Sequence, residues 1–132
     1  NGFYGLVPNT ITKENKKKID EEIKETDKYV INAKNITAIL YETSEGFIVI
    51  ENSYAVLETT KSINENWIKL RNKLIETGNL VKEDDKYRFA KDTLFSSLSA
   101  ASATVLGRQS NGSTEWKTEN GKTYKEVNEE KT

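Results

Sequence analysis

Between Ile36 and Ser53 the chain alternates at a period of two and is rich in β-branched residues. Ile36-Thr37-Ala38-Ile39-Leu40-Tyr41-Glu42-Thr43 and Phe47-Ile48-Val49-Ile50 flank Ser44-Glu45-Gly46. This pattern predicts a β-hairpin with a glycine-containing turn. Both strands are largely apolar, so the hairpin is expected to form the floor of a core. The period then changes. Ile63, Trp67, Leu70 and Leu74 step by four, three and four, and Ile68 and Ile75 widen the stripe, as on one face of a helix. Ser62-Ile63-Asn64-Glu65 reads as a capping box in which Ser62 and Glu65 each satisfy a free N–H. Gly78 is the expected left-handed stop, and Trp67 is assigned to the core. Leu80 to Phe89 reads as a short hairpin around Glu83-Asp84-Asp85. Upstream, Thr12 can cap a helix running to about Tyr29, with a thin stripe of Ile19, Ile23 and Val30. Its other positions are charged, with Glu14/Lys18, Lys16/Asp20, Lys17/Glu21 and Asp20/Lys24 at i,i+4 spacing.

Past Phe89 the pattern is less regular. Leu94-Phe95-Ser96-Ser97-Leu98-Ser99 leads into Ala100-Ala101-Ser102-Ala103-Thr104-Val105-Leu106, closed by Gly107. Ser97 suits an N-cap, and the small residues at 99–103 let such a helix approach a neighbouring backbone closely. Arg108-Gln109-Ser110-Asn111-Gly112 is a polar loop. Ser113 to Lys117 and Lys122 to Val127 flank Glu119-Asn120-Gly121, which predicts an Asn-Gly hairpin with Trp116 in mid-strand. Trp116 fits the core better than it fits a base-stacking platform. The expected fold is α+β. It has β-hairpins packed on an amphipathic helix, a short small-residue helix, a C-terminal β-hairpin and a charged N-terminal helix. The expected organisation is a connector over 1–34, an accessory domain over 35–128 and a tail over 129–132.

Composition narrows the chemistry. The 132 residues contain no Cys and no His, which removes disulfides, thiolate metal sites and the commonest general base and metal ligand. No apolar run approaches the roughly 20 residues of a membrane span and no signal-peptide pattern is present, so a cytoplasmic location is expected. The chain lacks Met and opens on Asn1-Gly2-Phe3-Tyr4-Gly5, which reads as a piece of something longer. Glu83-Asp84-Asp85 is the one tight acidic cluster. Adjacent acids in a turn point apart, so solvated turn residues are expected there rather than a metal. Net charge is −1, unlike a strongly basic nucleic-acid binder. Its distribution is uneven: residues 86–125 carry seven bases and three acids, a local excess of four positive charges that permits a basic face.

The motif Phe95-Ser96-Ser97-x-Ser99-Ala100-Ala101-x-Ala103, followed by Val105-Leu106-Gly107-Arg108, Asn111-Gly112, Glu115-Trp116-Lys117 and Gly121-Lys122-Thr123, carries a family resemblance. The chain resembles the domain of unknown function found C-terminal to GIY-YIG nuclease domains in many bacterial proteins. That family is itself similar to the RAMA domain associated with restriction enzymes and adenine methylases. Weaker likeness runs upstream through Glu45-Gly46-Phe47-Ile48-Val49, Ser53-Tyr54-Ala55 and Leu70 to Gly78, so the resemblance spans roughly 38–127. Leu98 stands where the family usually has Pro, and Ser113 where an aromatic usually follows Asn-Gly. The GIY-YIG catalytic motifs themselves are absent from the sequence.

The resemblance implies a non-catalytic accessory domain that binds duplex DNA beside an upstream catalytic domain; the composition adds the expectation of no cofactor, no metal and no membrane partner. Arg108 and Gln109 lie in a polar loop past a helix end, where an arginine reaches a guanine edge or a phosphate. Asn111 shares that loop, and Lys117, Lys122 and Lys125 are candidate phosphate contacts. Plainer roles stay open: Arg108 on the carbonyls of its own helix, Asn111 in the turn. The alternative is a protein-interaction or dimerisation module that positions a catalytic domain through the 14–29 helix and an edge of the C-terminal hairpin. An enzyme fits least, because no nucleophile is placed beside a base.

Overall fold

A computed structural model describes residues 28–33 and 35–130, together with Lys17, Lys18, Asp20 and Glu21. The strands are β1 (Lys28–Ala33), β2 (Ile36–Thr43), β3 (Gly46–Val49), β4 (Tyr54–Val56), β5 (Leu80–Glu83), β6 (Lys86–Phe89) and β7 (Thr93–Phe95). The helices are α1 (Glu65–Glu76), α2 (Leu98–Leu106), α3 (Gly112–Glu115) and α4 (Tyr124–Glu130). The fold is α+β. One antiparallel sheet runs β1-β2-β3-β7 and a second runs β4-β6-β5. The hairpin around Ser44-Glu45 forms with Thr43 opposite Gly46. The second hairpin forms with Glu83 opposite Lys86. Asp84 turns it at φ 58°, a conformation that Asp tolerates better than most residues.

Helix α2 is the centre of the molecule. Ser97 caps it by accepting from the Ala100 N–H at 3.0 Å, and Gly107 ends it in the left-handed region at φ 66°. Every residue from Ala100 to Leu106 is buried. The helix touches β3 and β7 of the first sheet, β4 of the second, and both α1 and α3. Only small side chains on α2 allow that many neighbours so close, which explains the run at 99–103. Around it Leu40, Val49, Leu70, Leu74, Phe89 and Trp116 are almost fully buried in one cluster.

Four expectations need correction. The charged helix cannot reach Tyr29, because Lys28–Ala33 is a strand paired with β2 and buries Tyr29 and Ile31 on one face. The aromatic and β-branched run Tyr29-Val30-Ile31 gains more from a sheet neighbour than from a sparse helical stripe. Lys17, Lys18, Asp20 and Glu21 are helical, and Lys18 pairs with Glu45 at 3.6 Å. Thr12, Ile19 and Ile23 lie outside the described residues.

At α1 the cap is Asn64, not Ser62: the Asn64 side chain accepts from the Asn66 N–H at 2.8 Å. The exit is as expected. Asn79 N–H bonds Leu74 C=O and Gly78 N–H bonds Ile75 C=O, with Gly78 at φ 82°, a pairing that satisfies two free carbonyls.

The buried face of α1 is also rotated from the expected stripe. Trp67 is half-buried at the margin of the core and Ile75 is 37% exposed, whereas Arg71 is 4% exposed. Its guanidinium donates to Val56 O at 2.7 Å, Leu57 O at 3.1 Å and Thr104 O, and lies over the Tyr87 ring at 5.6 Å. Burial pushes this group down to about 10, still charged at neutral pH. It ties α1 to the end of β4 and to the last turn of α2. A hydrophobic stripe drawn from sequence cannot anticipate a charged residue at that position.

The fourth correction concerns the C-terminal hairpin. Gly112–Glu115 is a helical turn and Tyr124–Glu130 is a helix. Of the hairpin only the turn survives. Thr118 N–H donates to Lys122 O at 2.8 Å, Gly121 N–H to Thr118 O at 2.9 Å, and Lys117 bridges Thr123. Thr123 and Glu126 explain the rest. Glu126 N–H donates to Thr123 Oγ1 at 3.1 Å while Thr123 N–H donates to Glu126 Oε1 at 3.3 Å, a reciprocal cap that starts α4. Trp116 is in the core as expected, fully buried, with its indole N–H donating to Leu98 O at 3.3 Å.

Candidate functional site

Two close approaches build the polar region after α2. A Cβ on Gly107 would stand 2.6 Å from the Glu58 carbonyl oxygen, and one on Gly112 would stand 2.4 Å from the Leu98 carbonyl carbon. Both glycines therefore let the 107–112 loop lie flat on the core, and they fix where Arg108 leaves it. Asn111 then starts α3: its Oδ1 accepts from the Ser113 N–H at 3.1 Å and from the Ser113 hydroxyl at 2.7 Å. Trp116 anchors the end of that turn, so Glu115 and Lys117 are held on either side of a buried indole.

Lys117 completes the geometry through its main chain. It pairs with β1, where Val30 N–H donates to Lys117 O at 2.7 Å and Lys117 N–H to Val30 O at 3.1 Å. Between β1 and this segment lies an open groove of about 640 Å³, with Asn32, Leu106, Arg108, Glu115, Lys117 and Glu119 on its walls. Arg108 is half-buried and contacts Glu115 and the Gln109 carbonyl, both at 3.4 Å. Those distances are long for a guanidinium, whose bonds to a carboxylate usually fall near 2.7–2.9 Å. Glu119 is tied to Lys28. Their hydrogen bond, and secondly their mutual attraction, raise the Lys28 ammonium and lower the Glu119 carboxyl from their ordinary values.

Of the six residues predicted as a site, Arg108 and Lys117 meet at this groove; Gln109, Asn111, Lys122 and Lys125 do not line it. Gln109 is exposed beside Arg108, and Asn111 is occupied as a cap. Lys122 pairs with Glu130 at 2.6 Å, which raises its ammonium. Lys125 is exposed on α4. Arg108 bonds Glu115 and Gln109, so the alternative of capping its own helix carbonyls is not what forms. Sequence reasoning missed Asn32, Glu115 and Glu119 as walls. The assignment of 1–34 to a connector hid Asn32, although Tyr29-Val30-Ile31 is a legible strand signal.

Among the described residues, no group of three or more carboxylates is placed to hold a metal ion. Glu83 instead accepts from Arg88 Nε at 2.6 Å. No helix among the described residues is long and apolar enough to cross a membrane.

An α+β domain with an open, mixed-charge groove beside an edge strand is thus the class that fold and site define. Residues 29–128 match the family described as Domain of unknown function (DUF4357). The chain belongs to that family, and the match runs from β1 into α4. No curated protein and no solved structure matches the chain.

Proposed function

We propose that this is a non-catalytic accessory domain that binds duplex DNA through the groove of Arg108 and Lys117. In this reading it serves a GIY-YIG nuclease or a restriction-modification protein of a bacterial cytoplasm, as its RAMA-like motif suggests. The observation that carries the reading is the convergence of two cations, from elements fixed by the core, on one open groove. Lys117 is exposed, and no carboxylate among the described residues pairs with it. The excess of bases over acids in residues 86–125 supports the same face.

Lys122 is held closely by Glu130 at 2.6 Å, whereas the Arg108–Glu115 contact is long at 3.4 Å, so Arg108 and Lys117 supply the phosphate contacts, with Gln109 exposed beside Arg108. Two neutralised phosphates correspond to a slope of log affinity against log salt of about −2. Anisotropy titration of a labelled duplex over a salt series tests this. The wild-type domain should show that slope, and Lys117→Ala should flatten it by about one. Absence of binding at low salt would refute the proposal. The competing reading, a protein-interaction module, relied in part on the edge of a C-terminal hairpin; residues 124–130 are helical, so that edge does not exist.

A further inference from the structure

We infer that Glu115 sets how strongly the groove holds phosphate, by competing with the ligand for the Arg108 guanidinium. This rests on the reading of the groove as a phosphate-binding face and names the residue that tunes it. The observation is a mismatch between anchoring and attraction. Glu115 N–H donates to Asn111 O at 3.1 Å, and the next residue, Trp116, is fully buried and bonded to Leu98 O. Arg108 follows Gly107, whose position leaves no space for a side chain. The core therefore fixes the main chain at both ends of the Arg108–Glu115 pair, and the side chains meet in one long contact at 3.4 Å rather than in a two-pronged bond.

A guanidinium has five N–H donors in a fixed fork, and here two long contacts occupy it. A phosphate entering the groove offers shorter, parallel bonds to the same fork. It does so within reach of the Glu115 carboxylate, which repels it. Glu115 thus holds Arg108 in place when the groove is empty and weakens every phosphate that replaces it. Glu119 has no such role, because its charge is taken up by Lys28.

The test is a double-mutant cycle on duplex binding, using Glu115→Gln, Arg108→Ala and the pair. Glu115→Gln should tighten binding by roughly two- to fivefold, the worth of a half-exposed ion pair, and most of that gain should be lost in the Arg108→Ala background, where only the direct repulsion is left to relieve. An equal gain with and without Arg108, or no gain, would overturn the inference. The Arg108 Nε–Hε NMR signal, titrated with pyrophosphate, separates this from the DNA reading. If no duplex binds, yet the signal shifts at lower pyrophosphate in Glu115→Gln than in wild type, the role of Glu115 stands and the DNA reading falls. Identical pyrophosphate titrations would overturn the role of Glu115 itself.

Discussion

Replacing Arg71 by Met should destabilise the domain severely, although the residue is charged and lies on a helix. The side chain is 4% exposed and donates to three backbone carbonyls, of Val56, Leu57 and Thr104. Hydrogen bonds from a charged donor contribute about 1.5–3 kcal/mol each. Against this stands the cost of burying the guanidinium, visible in its drop to about 10 and in its Nε, which is buried without a partner. Met keeps most of the apolar stem but leaves three carbonyls short of a donor. The net loss should be about 2–4 kcal/mol, or roughly 10–25 °C in Tm for a domain of about 100 residues. Lys should fall between, since one ammonium cannot span the end of β4 and the last turn of α2 together.

The assay is urea unfolding of wild type, Arg71→Met and Arg71→Lys at pH 6 and pH 8. The deficit should be the same at both, because the folded and unfolded guanidinium are charged below about 10. A Met variant within about 0.5 kcal/mol of wild type, the range of an ordinary surface change, would refute the reasoning.

Gly112→Ala should cost about 2–3 kcal/mol, because its Cβ would meet the Leu98 backbone at 2.4 Å rather than a movable side chain; thermal unfolding checks it. Thr123→Ala should remove about 1 kcal/mol by opening the reciprocal cap with Glu126, read as lost amide protection along α4 in hydrogen exchange. Tyr124, bonded to Glu42 at 2.8 Å, is pushed up to about 12, chiefly by burial. The unfolded phenol ionises near 10, so this contribution is complete below pH 10 and is lost as pH rises through 12. Tyr124→Phe should lose that fall in stability, measured as Tm against pH.

Where periodicity was long or turn chemistry explicit, the fold was legible. The 36–49 hairpin, the 80–89 hairpin, the Ser97 cap, the Gly78 and Gly107 stops and the burial of Trp116 all follow from short-range signals. Three features were misread because a tertiary partner outweighs local pattern. Tyr29-Val30-Ile31 pairs with β2, Arg71 takes a core position by bonding carbonyls far along the chain, and the buried face of α1 moves away from Trp67 and Ile75 as a result. Two further misses were local: Asn64 rather than Ser62 caps α1, and residues 124–130 are a helix rather than a strand. Thr123-x-x-Glu126 is a cap signature, hidden by the Asn-Gly turn that precedes it. Of the candidate site, Arg108 was singled out because it follows a helix stop and Lys117 as a cation of the expected hairpin, and the fold brings both to one groove. Glu115 and Glu119 were not singled out, since only the fold brings them to the wall that Lys117 shares with β1.

Amide and side-chain NMR mapping with a short duplex is the sharpest check on DNA binding by this groove, because it reports where contact occurs as well as whether it does. At low salt the largest shifts should fall on Asn32, Arg108, Gln109 and Lys117, and fade as salt rises. Shifts confined to other surfaces, such as the 80–89 hairpin, or none at low salt, would contradict it.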